Sequence, residues 1–246
     1  QGYSSAASDV YKRQYEEPGG GMNMLEICNL TKKYDKEKGI FDLSYSFEEG
    51  KIYALVGPNG AGKTTLIQMI SGISEPMKGQ IRLDDQDTLL RKSKSQIGYA
   101  LELTGNNTKQ TVLQFLRMVC DIKFGGEHKE DIMSFLTDFE LEDDKDTRLS
   151  ECSLGMKKKV GIIASFIGFP KLILLDEPTN GVDTTGLIVL KKYIESAREH
   201  NCIVIISSHV LDFVDSVKDE IIFLKKGHLV VGNKATTEEQ YRALFM

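Results

Sequence analysis

The octapeptide GPNGAGKT, Gly57 to Thr64, constrains this chain more than any other stretch of it. It fits G-x-x-x-x-G-K-[ST], follows the apolar run KIYALV and precedes a helical pattern from about Lys63 to Ile70. That is the context in which such a loop holds phosphate. Gly57, Gly60 and Gly62 let backbone N–H groups curl around phosphate oxygens, with Pro58, Asn59 and Ala61 completing the curl. The helix N-terminus adds its positive end. In this pattern Lys63 reaches the β- and γ-phosphates and the Thr64 hydroxyl ligates Mg2+, with Thr65 beside it in the first helical turn. The loop predicts a nucleotide site.

A second stretch, LILLDEPT, supplies what such a site needs next. Four apolar residues build a buried strand whose carboxyl end presents Asp176, suited to hold magnesium through water, and then Glu177, suited to polarise an attacking water. Paired acids at a strand end also occur in solvated turns. Here the buried strand aims both at the sheet edge where ligands bind in α/β folds. Farther on, IISSHV places His209 just past another apolar strand. A lone histidine is more often structural, but beside an adjacent parallel strand it would reach a γ-phosphate.

Around these motifs short strand-like runs alternate with helical patterns. LEICNL, DLSYSF, KIYALVG, GQIRLDD and QIGYAL read as strands, as do KLILLD, CIVIIS and the hairpin-like EIIFLKKGHLVVG. Helical stretches are expected at Thr111–Cys120, Lys129–Phe139, Leu154–Ile167, Thr185–His200 and Leu211–Val217. The pattern predicts an α/β fold with a largely parallel sheet, an antiparallel β region near the N-terminus, and a helical subdomain inserted at about 103–168. A length of 246 residues suits one such domain, over 22–246.

The net charge of −5 argues against a nucleic-acid binder. Cys28, Cys120, Cys152 and Cys202 form no CxxC pair and read as buried thiols in a reducing compartment. The longest nearly unbroken apolar run, Val160 to Phe169, is too short to span a bilayer, which needs about 20 residues. The leader Gln1–Gly21 lacks an apolar core and resembles a translated adapter and ribosome-binding region, so Met22 or Met24 is the expected native start.

The segment ECSLGMKKKVG, Glu151 to Gly161, begins a helix yet offers no nucleophile, base or metal ligand. With the phosphate loop, the magnesium strand and His209, in that order, it resembles the signature of the nucleotide-binding subunit of an ATP-binding-cassette transporter, and the resemblance covers Met24 to the C-terminus. It implies a P-loop NTPase (RecA-like) core that hydrolyses ATP with Mg2+, with Lys63, Glu177 and His209 as the catalytic groups. In that family two subunits pair head to tail and each signature closes over the other's ATP. Ser153 and Gly155 would then form an anion site at a helix N-terminus for the partner's nucleotide. The resemblance also implies that Tyr34 stacks on adenine and that Asp183 contacts the opposite site. Glu102 would occupy the Q-loop position with Mg2+ or water, Gln96 being a strand residue.

Cys152, Leu154 and Met156 depart from the usual LSGGQ signature, and SLGMKKK looks like the SLGMKQR of bacitracin- and lantibiotic-type peptide exporters. The implied partners are a second copy of the subunit and an integral-membrane permease, placing the chain on the inner face of the cell membrane in export. The same motifs serve a resistance-sensing or immunity ATPase. A GTPase is excluded because TKKYD precedes the phosphate loop, and a chromosome-organising ATPase because no heptads separate loop and signature.

Overall fold

The computed structural model describes residues 24–35, 38–100, 103, 109–125, 131–232 and 236–246. The leader, Glu102 and the expected helix start at Lys129 lie outside these. In chain order, β1 (Met24–Lys33) pairs antiparallel with β2 (Gly39–Glu48), and β3 (Ile52–Val56) leads through the phosphate loop into α1 (Lys63–Ile70). After these come β4 (Lys78–Leu83), β5 (Gln86–Asp87), α2 (Arg91–Lys94) and β6 (Ile97–Tyr99). Three helices follow: α3 (Val112–Phe124), α4 (Asp131–Asp138) and α5 (Leu154–Phe166). The chain then returns to strand–helix alternation: β7 (Leu172–Asp176), α6 (Thr184–Glu199), β8 (Ile203–Ser207), α7 (Leu211–Asp215), β9 (Glu220–Lys225), β10 (His228–Val231) and α8 (Thr237–Phe245).

The strands form two sheets. One is antiparallel, in the order β2-β1-β4-β5, and built from the N-terminal third. The other runs β10-β9-β3-β8-β7-β6, with β9, β3, β8, β7 and β6 parallel and β10 antiparallel at the edge. Strands β3 and β8 are buried at every residue, which accounts for apolar runs in place of alternation. One layer of core unites Tyr53 and Leu55 with Leu25, Phe47, Leu66, Ile67 and Ile70, so the antiparallel sheet and α1 cover one face of the parallel sheet. The other face packs Ile173, Leu175, Val204 and Ile206 against α5 and α6.

This topology positions the site. Parallel strands deliver their carboxyl ends to one edge, so the loop after β3, Asp176 at the end of β7 and His209 just past β8 emerge side by side. Helix α5 is buried from Lys159 to Phe166 while its first turn stays at the surface. A Cβ on Gly98 of β6 would collide with the Ser165 carbonyl oxygen, so α5 seats on β6 with no side chain between them.

Besides the short elements β5 and α2, which had no counterpart in the expected pattern, four features differ from the sequence expectation. Helix α3 runs a turn past Cys120, because Gly125 (φ 63) and not Cys120 closes it. Gln96 sits in the turn before β6 and not in the strand, which starts at Ile97. Cys28 is half-buried, whereas Cys120, Cys152 and Cys202 are buried as expected, and none of the four forms a disulfide. Helix α8 was not anticipated. It carries a Thr236/Glu239 capping box and lays Tyr241, Leu244 and Phe245 against Ala54, Val56 and Phe223. No helix among the described residues is long and apolar enough to cross a membrane.

Candidate functional site

The phosphate loop is shaped by its glycines. Gly62 has φ 107 and Gly60 φ 80, both in the left-handed region, and a Cβ on Gly57 would lie 2.5 Å from the Leu224 carbonyl oxygen. Gly62 is the N-cap of α1 and brings no side-chain acceptor to it. Thr111, Ser153, Asp183 and Thr236, by contrast, each cap their helix with a side-chain oxygen. The first N–H groups of α1 therefore have neither an intrahelical nor a capping acceptor, which suits them to an anion. Lys63 is buried to 7% exposure beneath the loop. Its Nζ donates to the Gly57 carbonyl at 2.7 Å and the Pro58 carbonyl at 3.4 Å, and lies 3.6 Å from Glu177 Oε1.

The acids stand next to it. Glu177 Oε2 is 2.7 Å from His209 Nδ1, and because a carboxylate only accepts, Nδ1 carries the proton of that bond. Glu177 has φ 45, a left-handed conformation costing a non-glycine residue about 1–3 kcal/mol. Its N–H is fixed by the Ser207 hydroxyl at 2.9 Å and the Ser207 carbonyl at 3.1 Å. The Ser207 hydroxyl in turn donates to Asp176 Oδ1. Thr64, Asp176 and Glu177 share a cleft of about 520 Å³ with Tyr99, Leu154 and Lys157.

The signature residues form a second group tied to the first within the same chain. Ser153 caps α5 by accepting from the Met156 N–H at 3.2 Å, which leaves its own O–H to donate. Lys158 Nζ donates to the Asp176 carbonyl at 3.1 Å, and Lys159 Nζ lies 2.7 Å from Asp183 Oδ2. A Cβ on Gly155 would approach the Gly181 carbonyl to 2.9 Å, so the signature and the loop before α6 touch backbone to backbone. Asp183 itself caps α6 through the Gly186 N–H at 2.7 Å. The Lys159 ammonium, then that N–H, hold its carboxyl below the usual carboxylate range.

Of the residues expected from sequence, Lys63, Glu177 and His209 are thus joined by direct contacts, and Thr64 and Asp176 line the cleft beside them. Tyr34 follows β1 at the surface, 61% exposed, in a turn that leads to Gly39 beside Gly62 of the phosphate loop, and is not among the residues lining the cleft. Glu102 lies outside the described residues. Sequence reading missed Ser207, Lys158 and Lys159. The lysines had a visible signal in the KKK run on a helix whose next residues are apolar, and Ser207 had one in the break of the run IVII by a hydroxyl.

A phosphate loop, a strand-end acid pair and a histidine at the carboxyl edge of a parallel sheet define a nucleoside-triphosphate-binding α/β protein. The comparisons narrow the class. The family description "ABC transporter" matches residues 40–180. The chain is 32% identical to the lantibiotic transport ATP-binding protein SrtF of Streptococcus pyogenes, over 90% of this chain and 96% of that one. It is 31% identical to the bacitracin transport ATP-binding protein BcrA of Bacillus licheniformis, over 84% of this chain and 68% of that one. Among solved structures, an ATP-binding subunit of an ABC transporter superposes with a TM-score of 0.79 at 26% identity, covering 89% of this chain and 92% of that chain. A dimeric ATP-binding cassette bound to ADP and Pi shares the fold, with a TM-score of 0.74 at 23% identity. The chain belongs to the ABC transporter family, as an ATP-binding subunit, and that family hydrolyses ATP.

Proposed function

We propose that the chain is the ATP-hydrolysing motor of an exporter, working as a pair of subunits on a separate membrane permease whose cargo is an antimicrobial peptide or similar amphipathic molecule. The observation that carries this reading is the chain of contacts from Lys63 through Glu177 to His209, in which Glu177 lines one cleft with Thr64 and Asp176. The peptide cargo follows the names of the relatives SrtF and BcrA, and those names favour transport over resistance sensing.

Mg2+ fits the residues present. Among the described residues no cluster of three or more His, Cys, Asp or Glu could cage a metal. Instead one hydroxyl, Thr64, and one carboxylate, Asp176, share a cleft, the sparse hard-oxygen set of an ion that keeps waters and phosphate oxygens as its other ligands. When bound, Mg2+ would neutralise charge on the β- and γ-phosphates. Lys63 would give up its loop carbonyls for those phosphates. Glu177 would accept a proton from the attacking water, and His209, its Nδ1–H held by Glu177, would need a second proton, on Nε2, to donate to the γ-phosphate. Ser153 and Gly155 would close over the nucleotide of the second subunit, and Tyr34 would cover the adenine of its own.

The test is to copurify the chain with its membrane partner, reconstitute the two in vesicles and follow ATP-dependent release of a loaded peptide. Stimulation of hydrolysis by the permease and by cargo is expected. Hydrolysis indifferent to both, with no transport, would overturn the motor reading.

A further inference from the structure

Ser207 ends β8 with no solvent exposure and faces the two acids of the site at once. Its oxygen accepts the Glu177 N–H at 2.9 Å while its hydrogen goes to Asp176 Oδ1. We propose that Ser207 is a positioning residue for ATP hydrolysis, a single hydroxyl that sets the rotamer of the metal-holding carboxylate and the backbone of the general base together. The inference rests on the roles given above to Asp176 and Glu177.

The chemistry asks for a hydroxyl at this point. The position must accept from a backbone N–H and donate to a carboxylate within one small volume, and among side chains of this size a hydroxyl does both well. An alanine does neither, and a thiol donates weakly. With Oδ1 occupied by the Ser207 hydrogen, the Asp176 carboxylate is held in one orientation and Oδ2 remains for the metal side. The second effect is on Glu177. Its left-handed backbone persists only where the surroundings hold it, and both its N–H acceptors come from Ser207. That backbone directs the side chain to His209. The pairing of β7 and β8 makes the arrangement possible, since Asp176 and Ser207 are register partners in adjacent parallel strands.

The experiment compares Ser207→Ala, Ser207→Thr and Glu177→Gln in the full chain. ATPase rate is followed against Mg2+ at saturating ATP and against ATP at saturating Mg2+, with a thermal melt of each variant. Ser207→Ala is expected to keep the KM for ATP and to melt within about 2 °C of the wild type, a change below 1 kcal/mol for a chain of this size. Its kcat should fall about tenfold, equivalent to about 1.4 kcal/mol. The Mg2+ concentration for half-maximal rate should rise about threefold or more, about the effect of a strained rotamer on one ligand. Ser207→Thr, which retains the hydroxyl, should recover most of the rate. If Thr does not fit, the Mg2+ shift of the well-folded Ala variant decides alone. Wild-type kcat and Mg2+ dependence in Ser207→Ala would overturn the inference, as would a uniform loss that follows a lower melting temperature. Glu177→Gln separates the two levels: normal turnover there would sink the functional reading itself, whereas a dead Glu177→Gln beside a normal Ser207→Ala would sink only the role of Ser207.

Discussion

Lys159 Nζ and Asp183 Oδ2 lie 2.7 Å apart and tie the helix of the signature to the N-terminus of α6. Lys159 is nearly buried while the Asp183 side chain is 58% exposed, so solvent screens the pair and its contribution is below about 1 kcal/mol. The sign of its pH dependence is fixed. A carboxyl held below its unfolded value contributes stability above that value, about pH 4, and loses it as pH falls through the folded one. The melting temperature of the wild type should therefore exceed that of Asp183→Asn by about 2 °C at neutral pH. The gap should stay flat down to about pH 4 and close below it. A gap that widens on acidification would contradict the assignment.

Gly98 is the contact point between β6 and α5, where an added Cβ meets the backbone oxygen of Ser165. Backbone cannot swing aside as a side-chain tip can, so Gly98→Ala must lift the helix from the sheet. A cost of about 1–3 kcal/mol is expected. That is several degrees in a thermal melt, and a melt unchanged within a degree would show that α5 is not seated as described.

Glu177 is assigned the proton of the attacking water and His209 is bonded to it. Glu177→Gln should bind ATP normally, since Lys63, Thr64 and Asp176 are untouched, and lose about 10² or more in turnover. His209→Ala should also bind ATP and lose turnover. If His209 instead carried the base function, its removal would cost the larger factor while Glu177→Gln stayed near wild type, and a pair of single-turnover measurements distinguishes the two.

Much of this was legible in the chain because the informative residues are local. The phosphate loop announces itself through spacing, and the strand before it through an apolar run that only a doubly covered strand tolerates. The acids and His209 follow from ending such strands. What remained hidden depends on which strands are neighbours. Ser207 looks like an ordinary hydroxyl until β7 and β8 pair and bring it onto Asp176. Lys158 and Lys159 look like a solvated run until α5 is laid on the sheet, when one meets the Asp176 carbonyl and the other Asp183. Helix α8 is a different case. Its capping box is local and was in plain view at Thr236 and Glu239, but the apolar face behind it is short and breaks off at the chain end.

The central claim, that the signature of one subunit serves the nucleotide of another, is tested by mixing two inactive variants. Lys63→Ala damages the phosphate loop and Ser153→Arg blocks the signature by bulk, so each alone should neither close on ATP nor hydrolyse it. In a mixed pair, one site combines both lesions while the other joins an intact Lys63 to an intact Ser153 from different chains. With equal mixing, half the pairs carry one working site. ATP-dependent closure, read by energy transfer between dyes on the two chains, is expected to return in the mixture and in neither variant alone. If mixing restores nothing while both variants still melt like the wild type and wild-type pairs close under the same conditions, Ser153 acts within its own chain and the account of the signature is wrong.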